Sequence, residues 1–163
     1  MTTLDAARFR QVMGRHAAGV SILTTVHDGI DHAMTADTLT SVSLDPLLVL
    51  VCVEVESRFH GAITEAGTFG ASILAVDQRA LCDWFATRGR PLHGQLDRAP
   101  HHRGPATGVA LLDRSLAALE AVVEAVHPAG DHSVVLGRVV GLELPDDTGS
   151  ALIHYRGSYG SLT

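Results

Sequence analysis

Lysine is absent from the 163 residues, and all twelve basic side chains are arginine. That absence excludes a P-loop lysine against nucleotide phosphates, a Schiff-base lysine for pyridoxal phosphate and a lysine general base. No Gly-x-Gly-x-x-Gly occurs, so any nicotinamide nucleotide is held without a Rossmann phosphate turn. Only two cysteines are present, Cys52 and Cys82. They stand 30 positions apart, outside Cys-x-x-Cys spacing, which suits reduced packing thiols rather than a redox pair or zinc site. His93, His101 and His102 share an aperiodic stretch and show no ligand spacing on a regular element, so no metal is expected. Long apolar runs are also missing. Leu47–Val53 is far shorter than the roughly 20 residues a membrane helix needs. The net charge of −6 contains no basic run, which argues against nucleic acid and anionic lipid as partners. The opening Met-Thr-Thr-Leu-Asp has neither the basic nor the apolar region of an export signal, so the cytoplasm is the expected compartment.

What is present is enough for a core. Apolar residues make up 46% and charged residues 18%, consistent with one domain over 1–163 that folds without disulfide or metal. The spacing of Phe9, Val12, Met13 and His16 predicts a helix from Asp5 to His16, capped by Thr3 or Asp5 and packed on a sheet. Val20–Val26, a turn at His27-Asp28-Gly29 and Ile30–Thr40 read as a hairpin, and Leu47–Glu56 as a central strand. A short helix over Phe59–Glu65 and a strand over Thr68–Ala75 follow. Next comes a helix capped by Asp77 whose Leu81, Trp84 and Phe85 form a core stripe. Arg88–Gly108 has no periodicity and is expected to be a flap or excursion over a pocket. Leu116–Val126 fits helix and strand alike, and propensity favours helix. Ser133–Leu144 reads as a strand with bulges at Gly137 and Gly141, and Ala151–Tyr155 as a last strand. The hairpins and few helices indicate a mainly β, barrel-like fold with peripheral helices and Greek-key spacing.

The segment Met34–Ser43 concentrates five hydroxyls, on Thr35, Thr38, Thr40, Ser41 and Ser43, just before Asp45-Pro46. Such a field of neutral donors suits a ligand polar at many points and only modestly charged, as a flavin is. A Ser/Thr-rich edge strand before an ordinary Asp-Pro turn accounts for the same residues.

Five short segments taken together resemble the flavin reductases of the FMN-binding split-barrel class. They are Phe9–Gly19, Met34–Pro46 with Val49-Leu50-Val51-Cys52-Val53, Asp77-Gln78, Gly130-Asp131-His132-Ser133, and Tyr155-Arg156-Gly157. The resemblance spans nearly the whole chain. It implies a six-stranded split β-barrel in a homodimer and a strand at Leu116–Val126. It also implies reduction of FMN or FAD by NADH or NADPH, with reduced flavin passed to a flavin-dependent monooxygenase. By resemblance, Thr35, Ala36, Asp37 and Thr38 would follow the isoalloxazine edge, with the Thr38 hydroxyl meeting the ring. Ser41, Val42, Ser43, Cys52 and Val53 would flank the flavin, and Ser57 and Arg58 would hold its phosphate. Gly130 and Asp131 would aim His132 at the nicotinamide, where it positions and stabilises charge during hydride transfer. Tyr155, Arg156 and Gly157 would form the far wall. Asp37 departs from the asparagine frequent in the family. An ionised carboxylate there cannot donate a hydrogen bond and would oppose an anionic reduced flavin. The scaffold also admits a flavoprotein that retains FMN, and a non-catalytic binding module.

Overall fold

Asp5 accepts a hydrogen bond from the Arg8 backbone N–H at 2.8 Å and so caps the first helix, α1 (Ala6–Met13). The computed structural model describes residues 4–146 and 149–162, and the alternative cap Thr3 lies outside them. The expectation that α1 packs on a sheet is not met within one chain. None of its residues is buried, and Phe9, Val12 and Met13 are 63%, 58% and 48% exposed. The helix also stops at Met13, short of His16.

The chain continues through β1 (Ala18–Gly19), β2 (Ser21–His27), β3 (Ile30–Ala36), β4 (Thr40–Leu44), β5 (Leu47–Glu54) and α2 (Arg58–Ala66). Then come β6 (Thr68–Ile73), a 3-10 turn (Val76–Gln78), α3 (Arg79–Ala86), β7 (His101–Arg103), β8 (Ala110–Leu112) and β9 (Ala117–Ala129). The last strands are β10 (His132–Glu143), β11 (Leu152–Tyr155) and β12 (Ser158–Ser161). No helix among the described residues is long and apolar enough to cross a membrane.

Seven strands form one antiparallel sheet in the order β3-β2-β6-β9-β10-β5-β4. β5 is therefore next to an edge, not central. The two edge strands, β3 and β4, are consecutive in sequence and joined by residues 37–39. Four Cα steps span at most about 15 Å, whereas six flat inter-strand gaps would separate the edges by about 29 Å. The sheet must curl until its edges approach, and residues 37–39 bridge the split.

Propensity alone favoured a helix over Leu116–Val126, but the segment is strand β9, paired on both sides, with β6 and β10. Those partners satisfy its backbone and override local preference. Bulges fall at the two glycines expected to carry them. The β9–β10 register shifts between Leu136 and Gly137 and between Val139 and Gly141. A Cβ on Gly137 would lie 2.6 Å from the Phe69 ring, so the glycine lets the strand close over a core aromatic.

Two large apolar clusters hold the fold together, with a small third one of Val109, Leu111 and Ala118. One gathers Leu23, Val51, Val53, Ile63, Phe69 and Val135. The other gathers Ile22, Leu74, Cys82, Phe85, Leu96, Ala110 and Leu152. β2 is shared, since Ser21–Thr25 are buried on both faces. Asp77 does not cap α3. Its carboxylate binds Arg114 at 2.6 Å, and Gln78 precedes the helix with no side-chain cap. Part of the aperiodic stretch after Arg88 packs inward, with Gln95, Leu96 and Ala99 buried.

His102 on β7 contacts Asp113 at 2.7 Å and both Glu143 oxygens at 3.0 Å, linking β7 to the ends of β8 and β10. Asp113 and then Glu143 raise its pKa. A group whose pKa is higher folded than unfolded, about 6.5 for histidine, gives its full stabilisation below that value. The stabilisation is lost as pH rises through the folded pKa. His102→Gln is therefore expected to lower the melting temperature most near pH 6, with the gap closing near pH 9 in a calorimetric series.

Candidate active site

The described residues enclose a cleft of about 480 Å³ beside the split, within the usual range of small-molecule sites. Its floor and one wall come from β3 and the connector after it (His32 to Asp37). A second wall comes from Glu54 to Phe59, and the rim from Thr87 to Arg90. His154 and Tyr159 of the β11–β12 hairpin close the far end.

Of the residues predicted from sequence, Thr35, Ala36, Asp37, Ser57 and Arg58 line this cleft. The hydroxyl field does not converge on it. Thr35 Oγ1 donates to the Cys82 carbonyl at 2.7 Å. Thr38 Oγ1 accepts from Cys52 N–H at 2.9 Å and donates back to the Cys52 carbonyl at 3.4 Å, so its proton is directed at the backbone of β5. Thr40 donates to the Thr38 carbonyl, and Ser43 accepts from Asp45 N–H. Short hydroxyl side chains near a chain reversal find backbone partners first. The β4–β5 register shift between Ser41 and Ser43 scatters the rest and leaves Ser41 and Val42 exposed on β4. Cys52 sits on β5 outside the cleft lining, and Val53 points into the core with no exposure.

Ser57 is the N-cap of α2. Its hydroxyl accepts from His60 N–H at 3.2 Å and donates to the Glu54 carbonyl at 2.7 Å. With the His60 N–H taken by Ser57, the anion-binding capacity of this wall lies with the Arg58 guanidinium and the Arg58 and Phe59 N–H groups that open α2. Arg58 also donates to the Arg90 carbonyl. Arg90 is anchored in turn by the carbonyls of Phe85 and Ala33, each at 2.7 Å, and by that of Thr87. Burial, followed by repulsion from Arg58, lowers its pKa. Across the mouth Arg88 forms a two-oxygen pair with Glu54 at 2.9 and 3.0 Å. His32 lines the floor, and burial, then His27 and Arg58, lower its pKa, which favours the neutral imidazole.

Gly130 takes φ +69° in the β9–β10 turn, and His132 begins β10 directly opposite Glu54. His132 Nδ1 meets Asp131 Oδ1 at 2.7 Å, which holds the Asp131 carboxyl below its ordinary pKa. His132 thus stands one strand away from the cleft lining. Tyr155, Arg156 and Gly157 are exposed and outside it. Arg156 and Gly157 form a turn with φ +53° and +73°, and the Arg156 guanidinium lies 5.5 Å over the Tyr155 ring. The neighbours His154 and Tyr159, directly paired across β11–β12, face the cleft instead. Sequence reasoning missed them. Period-two alternation along β11 was the available signal, since it puts His154 and Tyr155 on opposite faces. Arg88 and Arg90 were foreshadowed only by the expectation of a flap.

Arg58 and the start of α2 in one wall suit a ligand carrying a phosphate. The comparisons point the same way. Residues 13–163 match the family model described as flavin reductase like domain. An NADH-dependent flavin reductase from Rhodococcus sp is 43% identical over 157 residues, covering 94% of this chain and 84% of its own. The reductase subunit HsaB of a flavin-dependent monooxygenase from Rhodococcus jostii is 35% identical, covering 96% and 77%. Among solved structures, BorF, the flavin reductase component of a bacterial two-component tryptophan halogenase, superposes with a TM-score of 0.91. It is 40% identical, and the match covers 97% of this chain and 98% of that one. The family match over residues 13–163 and relatives covered over most of their length decide the assignment: this protein belongs to the flavin reductase like domain family.

Proposed function

We propose that this chain is an NAD(P)H:flavin oxidoreductase that reduces FMN or FAD and hands the reduced flavin to a partner monooxygenase. The observation that carries the reading is the cleft itself, in which the α2 N-terminus and Arg58 form one wall and Thr35, Ala36 and Asp37 line the floor. NADH is the favoured donor, because relatives from Rhodococcus and Streptomyces, 43% and 37% identical, are named NADH-dependent. The nicotinamide supplies a hydride, with its electron pair, to the flavin. The protein's part is to hold the two rings in contact and exclude water, since hydride transfer needs no protein acid or base.

In this reading Arg58 and the α2 N–H groups hold the flavin phosphate, the backbone of Thr35–Thr38 follows the ring edge, and His132 positions the nicotinamide. Curling of the seven-stranded sheet supports a split barrel, with six of its strands proposed as the barrel proper, acting as one domain over 1–163. The uncovered faces support a homodimer. Phe9, Val12 and Met13 on α1, and Leu44, Leu47 and Leu142 on the β4–β5–β10 side, stay exposed in the single chain. Ser41, Val42, Gly130, Asp131, Tyr155, Arg156 and Gly157 lie on exposed surface and Ser43 is half-buried beside them, and all would act from across that interface. Two free thiols support a cytoplasmic setting.

Stopped-flow mixing under nitrogen tests the reading. Bleaching near 450 nm with one flavin and one nicotinamide is expected, and no bleaching in any of the four combinations would refute it. His132→Ala should slow bleaching by up to about a hundredfold through lost alignment, without abolishing it.

A further inference from the structure

Asp37 occupies the split between the sheet edges and lines both the main cleft and a smaller cavity beside it that also includes His16. A lone carboxylate beside a flavin would oppose reduction, because the ring gains negative charge. Asp37 is not alone. His154 Nδ1 lies 3.0 Å from Asp37 Oδ2, and since an ionised carboxylate only accepts, the imidazole N–H donates.

The rest of His154's surroundings fix its ring. It rests against Tyr159, centroid to centroid 5.2 Å, and the Arg79 guanidinium lies 5.5 Å from the centre of the same Tyr159 ring. Burial first, then the neighbouring Cys82, raise the Tyr159 pKa, so it remains a neutral phenol near Asp83 and Asp37. Among the described residues Asp37 is the carboxylate within hydrogen-bond distance of His154.

We propose that His154 is a positioning residue whose hydrogen bond to Asp37 offsets that carboxylate beside the bound flavin and so sets the relative affinity for reduced and oxidised flavin. The proposal rests on the flavin reductase reading and adds to it a residue and a role. A merely structural link between β11 and the 37–39 connector would weaken both flavin states equally. A charge-offsetting one weakens the reduced state more.

The test compares wild type with His154→Gln, Asp37→Asn and the double variant. Dissociation constants for oxidised and for dithionite-reduced FMN and FAD are measured anaerobically, with KM and kcat for NADH-driven turnover. His154→Gln is expected to weaken reduced flavin about tenfold more than oxidised, equivalent to a bound-flavin potential about 30 mV lower for a two-electron couple. Asp37→Asn, which keeps the imidazole, should shift the ratio the opposite way. In the Asp37→Asn background, His154→Gln should change the ratio less than about twofold. Equal weakening of both states, or the same loss with and without Asp37, overturns the proposal while leaving the reductase intact. Should His154→Gln fail to fold, an unchanged ratio in Asp37→Asn overturns it alone. A wild type without turnover on either flavin removes the reductase reading and this proposal together.

Discussion

Arg58→Ala is expected to weaken FMN binding by about thirtyfold while leaving riboflavin binding within about twofold. The difference between the two ligands is the phosphate, and Arg58 is the guanidinium at the start of α2 that lines the cleft. A hydrogen bond to a charged group contributes about 1.5–3 kcal/mol, and about 2 kcal/mol corresponds to thirtyfold in a dissociation constant. The helix N-terminus keeps part of the attraction, so binding falls without vanishing. Arg58→Lys should recover only part of the loss, since an ammonium restores the charge but not the planar fork that reaches two oxygens. Fluorescence titration at rising salt adds a second check, in which wild-type FMN affinity should fall more steeply than that of Arg58→Ala. Equal loss for FMN and riboflavin would place the phosphate elsewhere. Arg58 also binds the Arg90 carbonyl, so a small general loosening of the Thr87–Arg90 rim accompanies the specific effect.

Glu120→Ala is expected to destabilise the protein by about 3–5 kcal/mol, the range for removing one member of a buried charged or multiply bonded group. Glu120 is 1% exposed in the middle of β9. Its carboxylate accepts from Ala106 N–H at 3.1 Å, from Thr107 N–H at 2.6 Å and from the Thr107 hydroxyl at 2.6 Å. Alanine leaves these donors without an acceptor and opens a cavity, both of which cost stability. The neighbouring glycines show how closely the carboxylate is enclosed. A Cβ on Gly104 would meet the Glu120 carboxyl at 2.3 Å, and one on Gly141 at 2.7 Å. Against a typical total of about 5–15 kcal/mol, such a loss is a large fraction, and the melting temperature should fall by about 10 °C. Glu120→Gln keeps the volume and one oxygen and should cost less than half as much. Urea unfolding of the three proteins measures this, and a Glu120→Ala effect under about 1 kcal/mol would mean that water replaces the carboxylate.

Several features were legible in the residues because their causes are local. The His27-Asp28-Gly29 turn needs left-handed backbone, and Asp28 and Gly29 supply it with φ +50° and +73°. The Asp5 cap, the helix at the end of β5 and the bulges at Gly137 and Gly141 follow from neighbouring residue types in the same way. The absence of lysine and of a Rossmann turn narrowed the chemistry without any structure. The family resemblance, carried by five spaced segments, supplied a strand at Leu116–Val126 where the residues themselves were ambiguous.

The tertiary structure decided what depends on partners distant in sequence. Whether β9 is a strand rests on β6 and β10 on either side of it. The direction of the Thr35 and Thr38 hydroxyls rests on which carbonyl lies nearby, and those belong to Cys82 and Cys52, 47 and 14 residues away. The cleft takes His154 and Tyr159 and not Tyr155 and Arg156, because strand pleating gives adjacent residues opposite faces and the hairpin register fixes which face is inward. Asp37 read from sequence is an uncompensated carboxylate, and its compensation comes from a histidine 117 residues later. Spacing along a chain fixes periodicity and turns, which are local free energies. Register, pleat parity and charge pairing are fixed only when distant segments meet.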